Sequence, residues 1–420
     1  MNTENLLLGL NCACGRHHTC DIKRISIKRD ATSELRELCA DASGILVVAD
    51  ENTYAASGES VLRVLADKSV KSVIFSGATV VIPNEDAIEK IREKLDGTDM
   101  IVGIGSGVIQ DLCKYVSHFA RIPYIIVATA PSMDGYASTG AAMILKGMKE
   151  TVSASLPIAI LADTEVLKNA PMEMIKAGYG DIIGKFSALC DWKLSNAVNG
   201  EYFCQYIYDT TYSMIEKTLK TAEGLLKRDE ESVKTLMEAL IIVGVMMSFA
   251  TTSRPASGSE HHLSHFFEIT GIINDEKYLA HGIDVAFSTV VTSSLREEIL
   301  KSSFAKEQYK MDASEYERNI RSVYGKIADE CIGLQKRVGN YERDRAKIYA
   351  SNEAEIRRIL SEAPSDAEII EMLSLVELDM NEFYKTYSDE KIKKAITYAK
   401  DLKDRYTVLW MYYDLFGEKK

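Results

Sequence analysis

The sequence predicts an α/β N-terminal domain built on a parallel sheet, followed by an all-helical C-terminal domain. Three observations carry this. From Ala31 to Val166, apolar runs of strand length alternate with amphipathic helical stretches, a pattern that demands crossovers and a sheet covered on both faces. After Pro171 the chain keeps helical periodicity to its end, with few glycines. A length of 420 residues exceeds what one core organises, so the division is placed at 1–166 and 167–420.

The elements follow in order. ATSELRELCADA is a short amphipathic helix, ILVVAD a buried strand, SGESVLRVLADK a helix and VKSVIFSG another strand. NEDAIEKIREKL is a helix, DMIVGIG a strand, SGVIQDLCKYVSHFA a helix and YIIVAT a strand. AAMILKGMKETVSASL reads as a β-hairpin turning at Lys146-Gly147, and IAILAD closes the sheet. In the second half, AGYGDIIGKFSALCDWKLSNA places Asp181 after Gly180 at a helix start, with Lys185 one turn along. VKTLMEALIIVGVMMSFATTS is a buried helix whose methionines fill core. Ser365 to Glu368 forms a capping box, and RYTVLWMYYDLFG ends the chain with an aromatic face that packs on the domain or across a subunit interface.

Bulk properties narrow the partners. A net charge of -12 and a pI near 5.3 argue against nucleic acid, whose phosphates demand excess Lys and Arg. No membrane segment or signal peptide is read, so a cytoplasmic protein is expected. Most of the eight cysteines are scattered singly and read as reduced, buried thiols. One patch is denser: Cys12, Cys14, His17, His18 and Cys20. It offers ligands for a structural zinc but no second pair at finger spacing, so a tight β-turn at Gly15 is preferred.

Three strand ends carry residues suited to a ligand, since open parallel sheets bind ligands at their carboxyl edges. Asp50 ends ILVVAD and is placed to accept from a ribose or to cap the next helix. Gly103-Ile-Gly105-Ser106-Gly107-Val108 leads from strand to helix, with Asp111 closing the pattern; glycines let a pyrophosphate approach the amides at the helix start. Thr129, Ser132, Asp134 and Ser138 follow YIIVAT in a loop fit for a cofactor's sugar-phosphate or an ordinary turn, Asp134 being an acceptor for a substrate hydroxyl.

Histidine is concentrated between Ser257 and His281, where four of the chain's seven lie. On a helix, His261 and His265 are four positions apart and share a face, while His281 follows a short loop. Neutral imidazoles in such a cluster point to a transition metal still lacking an oxygen ligand. Asp181 is the best-placed carboxylate, and two imidazoles with one carboxylate leave an open position, as catalytic ions require.

With these residues laid out, the chain resembles the sn-glycerol-1-phosphate dehydrogenases, in particular their bacterial form. These belong with glycerol dehydrogenase, iron-dependent alcohol dehydrogenases and 3-dehydroquinate synthase. The matching stretches are GIGSGVIQDLCKY, TAPSMDGYAS, GYGDIIGKFSALCDW, SGSEHHLSHFFE and AHGIDVAF, spanning about Asp50 to Phe287. The CACGRHH start is also similar to the bacterial branch, which weighs against zinc there.

The resemblance implies a Rossmann-like dinucleotide-binding domain, with the active site in the cleft beside the helical domain. It implies a divalent metal, zinc or nickel, on Asp181, His261 and His281, with His265 facing the substrate and Asp134 and Asp181 touching it. Gly105, Ser106, Gly107, Val108, Asp111, Thr129, Ser132 and Ser138 would line NAD or NADP, with Asp50 beside the ribose. The implied reaction is reversible reduction of dihydroxyacetone phosphate to sn-glycerol 1-phosphate, with Lys185 and Arg254 as phosphate candidates. A homodimer or larger homo-oligomer, with no nucleic acid or membrane partner, completes the expectation. Glycerol dehydrogenase and a non-enzymatic metal- or nucleotide-binding regulator are the alternatives. A lyase of the dehydroquinate synthase kind is disfavoured, because Asp181 stands where that family has a glutamate.

Overall fold

The computed structural model describes residues 3–146, 148–304 and 307–419. The chain forms two compact units: Met1–Ile182 with Glu216–Ser253, and Ile183–Ile215 with Arg254–Lys420.

The first unit holds a six-stranded sheet: β1 (Arg24–Lys28), β2 (Gly44–Asp50), β3 (Ser69–Phe75), β4 (Met100–Gly105), β5 (Tyr124–Ala128) and β6 (Ala159–Asp163). Every pairing is parallel and the order is β1-β6-β5-β4-β2-β3. The intervening helices include α1 (Glu51–Val64), α2 (Glu85–Arg92) and α3 (Gly107–Ala120). Burial explains the unbroken apolar runs. In β2, Ile45, Val47 and Ala49 join a core with Leu35, Cys39 and Val61 on one face, while Leu46 and Val48 are equally buried on the other.

The predicted strands and hairpin are present. Gly140–Leu145 pairs antiparallel with Met148–Ser153, Lys146 having φ 52; Gly147 lies outside the described residues. Two differences have physical reasons. β1 was not foreseen, because RISIK is short, carries basic residues at both ends and lies at the sheet edge, where only its middle is buried. The first helix is reduced to a 3-10 turn, Ala31–Glu34, running into one α-turn, Leu35–Leu38.

Three long helices follow: α4 (Met172–Asn199), α5 (Gln205–Leu219) and α6 (Glu230–Ala250). α6 is long and apolar enough to cross a bilayer, but 78% of its apolar window is buried within the protein, the condition of a core helix. It belongs to the first unit, packing on the Gly135–Ala137 turn, and Arg29 beside β1 hydrogen-bonds Glu230 at its start. Packing thus groups this segment with the sheet.

The second unit is helical. α7 (Ser259–Asn274) packs against α8 (His281–Leu300), and the last helix, Val408–Phe416, lies buried on α8. The capping box at Ser365 and Glu368 forms as expected.

Candidate metal and nucleotide site

Strand register brings the predicted loop residues together. Ala49 pairs with Ile104 and Gly105 with Ala128, so Asp50, Gly105 and Thr129 stand along one carboxyl edge. The chain winds from β2 to β3 in one direction and from β4 through β5 in the other, so the topological switch point falls between Asp50 and Gly105.

At the start of α3, Ser106 is the N-cap and makes no side-chain capping bond among the described residues, leaving first-turn amides for an anion. The two glycines around it differ. A Cβ on Gly105 would meet Ile109 Cβ at 2.6 Å, so Gly105 lets α3 close on its strand, whereas at Gly107 the nearest atom is Met133 Cγ at 3.9 Å. Asp50 caps α1: its Oδ1 accepts the N–H groups of Asn52 and Thr53, each at 2.9 Å.

The loop after β5 is clamped by a residue that sequence reasoning missed. Lys114, fully buried on α3, donates from Nζ to Gly140 O at 2.7 Å and Gly135 O at 3.1 Å, with Asp111 Oδ1 at 3.6 Å. Burial lowers its pKa and Asp111 opposes that shift. The only signal was the spacing of Lys114 three residues after Asp111 on one helix face. Thr129 donates its N–H to Gly105 O at 3.1 Å, and the Ser138 hydroxyl donates to Gly135 O at 3.1 Å; Ser132 is half-buried.

Two helices press on this loop through glycines. A Cβ on Gly178 of α4 would overlap Pro131 O at 1.8 Å, and one on Gly244 of α6 would meet Asp134 O at 2.7 Å. This approach lets the Asp134 N–H donate to Asp181 Oδ2 at 3.0 Å. Asp181 is therefore not at a helix start: it lies inside the unbroken α4, where Gly178 serves close packing rather than a break. One turn further on, Gly184 admits Val285 Cγ1 of α8, 2.6 Å from where its Cβ would be, and Glu260 Cγ of α7 at 3.4 Å.

The three imidazoles converge, His261 and His265 sharing a face as their spacing predicted. Ring centroids lie 5.2 Å apart for His261 and His281, 5.7 Å for His265 and His281, and 6.1 Å for His261 and His265. Donor atoms of Asp181, His261 and His281 all lie within 4.8 Å of one another. One carboxylate oxygen and two imidazole nitrogens at that separation suit a divalent transition metal.

A second carboxylate orients the set. His261 Nδ1–H donates to Glu260 Oε1 at 2.6 Å, which assigns the metal-binding role to Nε2. Glu260 is wholly buried; burial pushes its carboxyl up to about 7, against the Gly258 N–H and the charge of buried Lys185. Asp191 holds the start of α7, accepting from Ser259 N–H at 2.6 Å and from Val408 N–H at 2.6 Å. Its carboxyl is likewise raised, to about 6, chiefly by burial. In sequence, Glu260 was visible only as the acidic neighbour of a candidate ligand. His262, next along, is buried on another face, and burial keeps it neutral.

Arg254 is spent elsewhere and does not qualify as a phosphate group. Its Nε donates to Glu201 Oε1 at 2.6 Å, Nη1 to Tyr406 O at 2.9 Å, and Nη2 to Ser195 Oγ at 3.2 Å and to Glu201 Oε2. With four donors engaged and 3% exposure, it is a structural tie.

The chain has relatives among known proteins. Residues 26–171 match the family described as iron-containing alcohol dehydrogenase. The glycerol-1-phosphate dehydrogenase (NAD(P)+) of Bacillus licheniformis is 30% identical over 408 residues, covering 95% of this chain and 90% of that protein. The enzyme of that name from Halalkalibacterium halodurans is 34% identical, covering 68% of this chain and 73% of its own length. Among solved structures, an iron-containing alcohol dehydrogenase from Thermococcus thioreducens shares the fold at TM-score 0.60 and 13% identity, covering 91% of both chains. Related over nearly its whole length to enzymes of that name, the chain belongs to the glycerol-1-phosphate dehydrogenase family.

Proposed function

We propose that the protein reduces dihydroxyacetone phosphate to sn-glycerol 1-phosphate, reversibly, using NAD(P)H and a divalent metal. The observation that carries this is the convergence of Asp181, His261 and His281 in a chain related along its length to enzymes of that name. Asp181, His261 and His281 are assigned as metal ligands. A divalent cation held there would supply Lewis-acid polarisation of the substrate carbonyl, making its carbon a better hydride acceptor. The ligand types suit zinc or nickel.

Around that point the chain's own groups position the reactants. Asp134, on the loop held by Lys114, accepts from a substrate hydroxyl. His265, half-buried beside the other two rings, supplies the proton for the product oxygen. The dinucleotide is assigned to the switch point: its pyrophosphate to the amides of Ser106, Gly107 and Val108, backed by Gly105, Asp111, Thr129, Ser132 and Ser138. Asp50 keeps the ribose role with the oxygen not used in capping. Lys185 remains the cation candidate for the phosphate. Residues 1–166 and 167–420 are the corresponding functional halves, in a cytoplasmic homodimer or larger homo-oligomer.

The test is nicotinamide oxidation with dihydroxyacetone phosphate and with free dihydroxyacetone, after chelation and after metal return. Activity that needs both metal and phosphate is expected. Equal kcat/KM for the two ketones would mean a glycerol dehydrogenase, and no oxidation under any condition would sink the enzymatic reading.

A further inference from the structure

The sequence patch set aside as a β-turn is indeed a turn. Leu10–Asn11 pairs with His17–His18, the Gly15 N–H donates to Cys12 O at 3.0 Å, and the Cys12 N–H to Arg16 O at 3.0 Å. Gly15 has φ 85, which favours glycine. What the linear pattern could not show is which side chains the turn gathers. His17 is exposed and pairs with Asn11 Oδ1 at 2.7 Å, so it points away. Cys20 is buried with its thiol pushed up to about 11 and is not among the gathered donors. Donor atoms of Cys12, Cys14, His18 and Cys204, the last directly preceding α5, all lie within 4.8 Å of one another.

We propose that Cys12, Cys14, His18 and Cys204 bind a structural zinc ion, separate from the Asp181 site. His18 argues most strongly for it. Its ring is buried and stacked on Phe249 at 5.3 Å, and its Nδ1 lies 2.9 Å from Phe249 O. A carbonyl oxygen accepts only, so Nδ1 carries the proton and Nε2 presents its lone pair, the arrangement of a metal-ligating histidine with an outer-shell partner. That Nε2 is 3.4 Å from Cys14 Sγ. Ordinary Zn–S and Zn–N bonds at a tetrahedral angle separate S and N by about 3.6 Å, so the pair already stands near one edge of a zinc tetrahedron.

The chemistry separates the two sites. Three thiolates and one imidazole close a four-coordinate zinc and leave no position for substrate, as structural sites do; soft sulfur donors select zinc where the carboxylate-bearing set is less selective. Binding releases three thiol protons, and no redox change is involved. The competing reading is a reduced cluster in which a thiol S–H donates to His18 Nε2.

The test uses the full-length protein loaded with cobalt(II). Thiolate-to-cobalt charge-transfer absorption in the near ultraviolet is expected, a band that an Asp/His/His site cannot give. It should persist in a His261→Ala/His281→Ala variant and disappear in Cys12→Ser and Cys14→Ser. Metal analysis should find one zinc per chain beyond the Asp181 metal, and chelation should make three more thiols reactive. If the serine variants fail to fold, the wild-type spectrum decides alone. Absence of the thiolate band, with thiol reactivity indifferent to chelation, overturns the proposal.

Discussion

Glu260 stands just behind the donors assigned to the proposed metal site. Its Oε1 accepts from His261 Nδ1 and from the Gly258 N–H at 2.9 Å, fixing the ring and the first turn of α7 together. Glu260→Gln should weaken divalent-metal affinity by about 10–100-fold with far-ultraviolet dichroism unchanged, read by chelator competition. Unaltered affinity would remove Glu260 from that role. At this scale the sequence disclosed the pairing of His261 with His265, because imidazoles four apart on a helix share a face. It misjudged Arg254, because nothing in a linear string shows that Glu201 and Tyr406 O claim its guanidinium. Lys114 escaped for the converse reason: buried lysines are rare, and nothing in a linear string marks this one as buried.

Glycine placement governs how the elements close on the site. A methyl group at Gly178 would overlap Pro131 O and push α4 from the loop that carries Asp134. Gly178→Ala should therefore cost about 1–3 kcal/mol of stability and lower turnover together, measured by urea unfolding and steady-state kinetics. A stable variant with full activity would show that the loop tolerates the shift. The Arg29–Glu230 pair, linking the end of β1 to α6, sets an acid limit. The Glu230 carboxyl is held at about 2, first by the Arg29 guanidinium and then by the Thr164 hydroxyl. Unfolded glutamate titrates near ~4.3, so on acidification the unfolded chain takes the proton first. The pair's stabilisation is complete above that value and is lost as pH falls through about 2. Glu230→Gln should flatten that part of the stability profile, and an unchanged profile would dismiss the pair. Strands and helices were legible where burial was complete, as in ILVVAD and YIIVAT. β1 was not, since an edge strand buries too little to leave a pattern.

For the whole molecule, the helical unit depends on buried charge. Arg345 and Asp414, each 1% exposed, pair at 3.2 Å, with the Tyr349 hydroxyl donating to the same carboxylate and Arg345 lying over the Tyr406 ring. Burial raises the Asp414 carboxyl to about 6 even against Arg345. Arg345→Ala would leave that carboxylate uncompensated and should cost about 3–5 kcal/mol, seen as a lowered unfolding midpoint of the second unit. A midpoint within experimental error of wild type would contradict this. The broad succession of sheet and helices was readable from periodicity. The return of α6 to the first unit was not, because periodicity reports that a face is buried and is silent on what buries it.

The unequal surroundings of Gly105 and Gly107 give the loop a built-in control. Side chains added at the first position disturb folding, since Ile109 already fills that space; a Cβ at the second makes only an ordinary contact with Met133 Cγ at 3.9 Å. Two neighbouring substitutions thus separate loss of protein from loss of dinucleotide affinity, and a soluble, folded Gly107 variant still binding NAD(P)H normally would move the coenzyme away from α3.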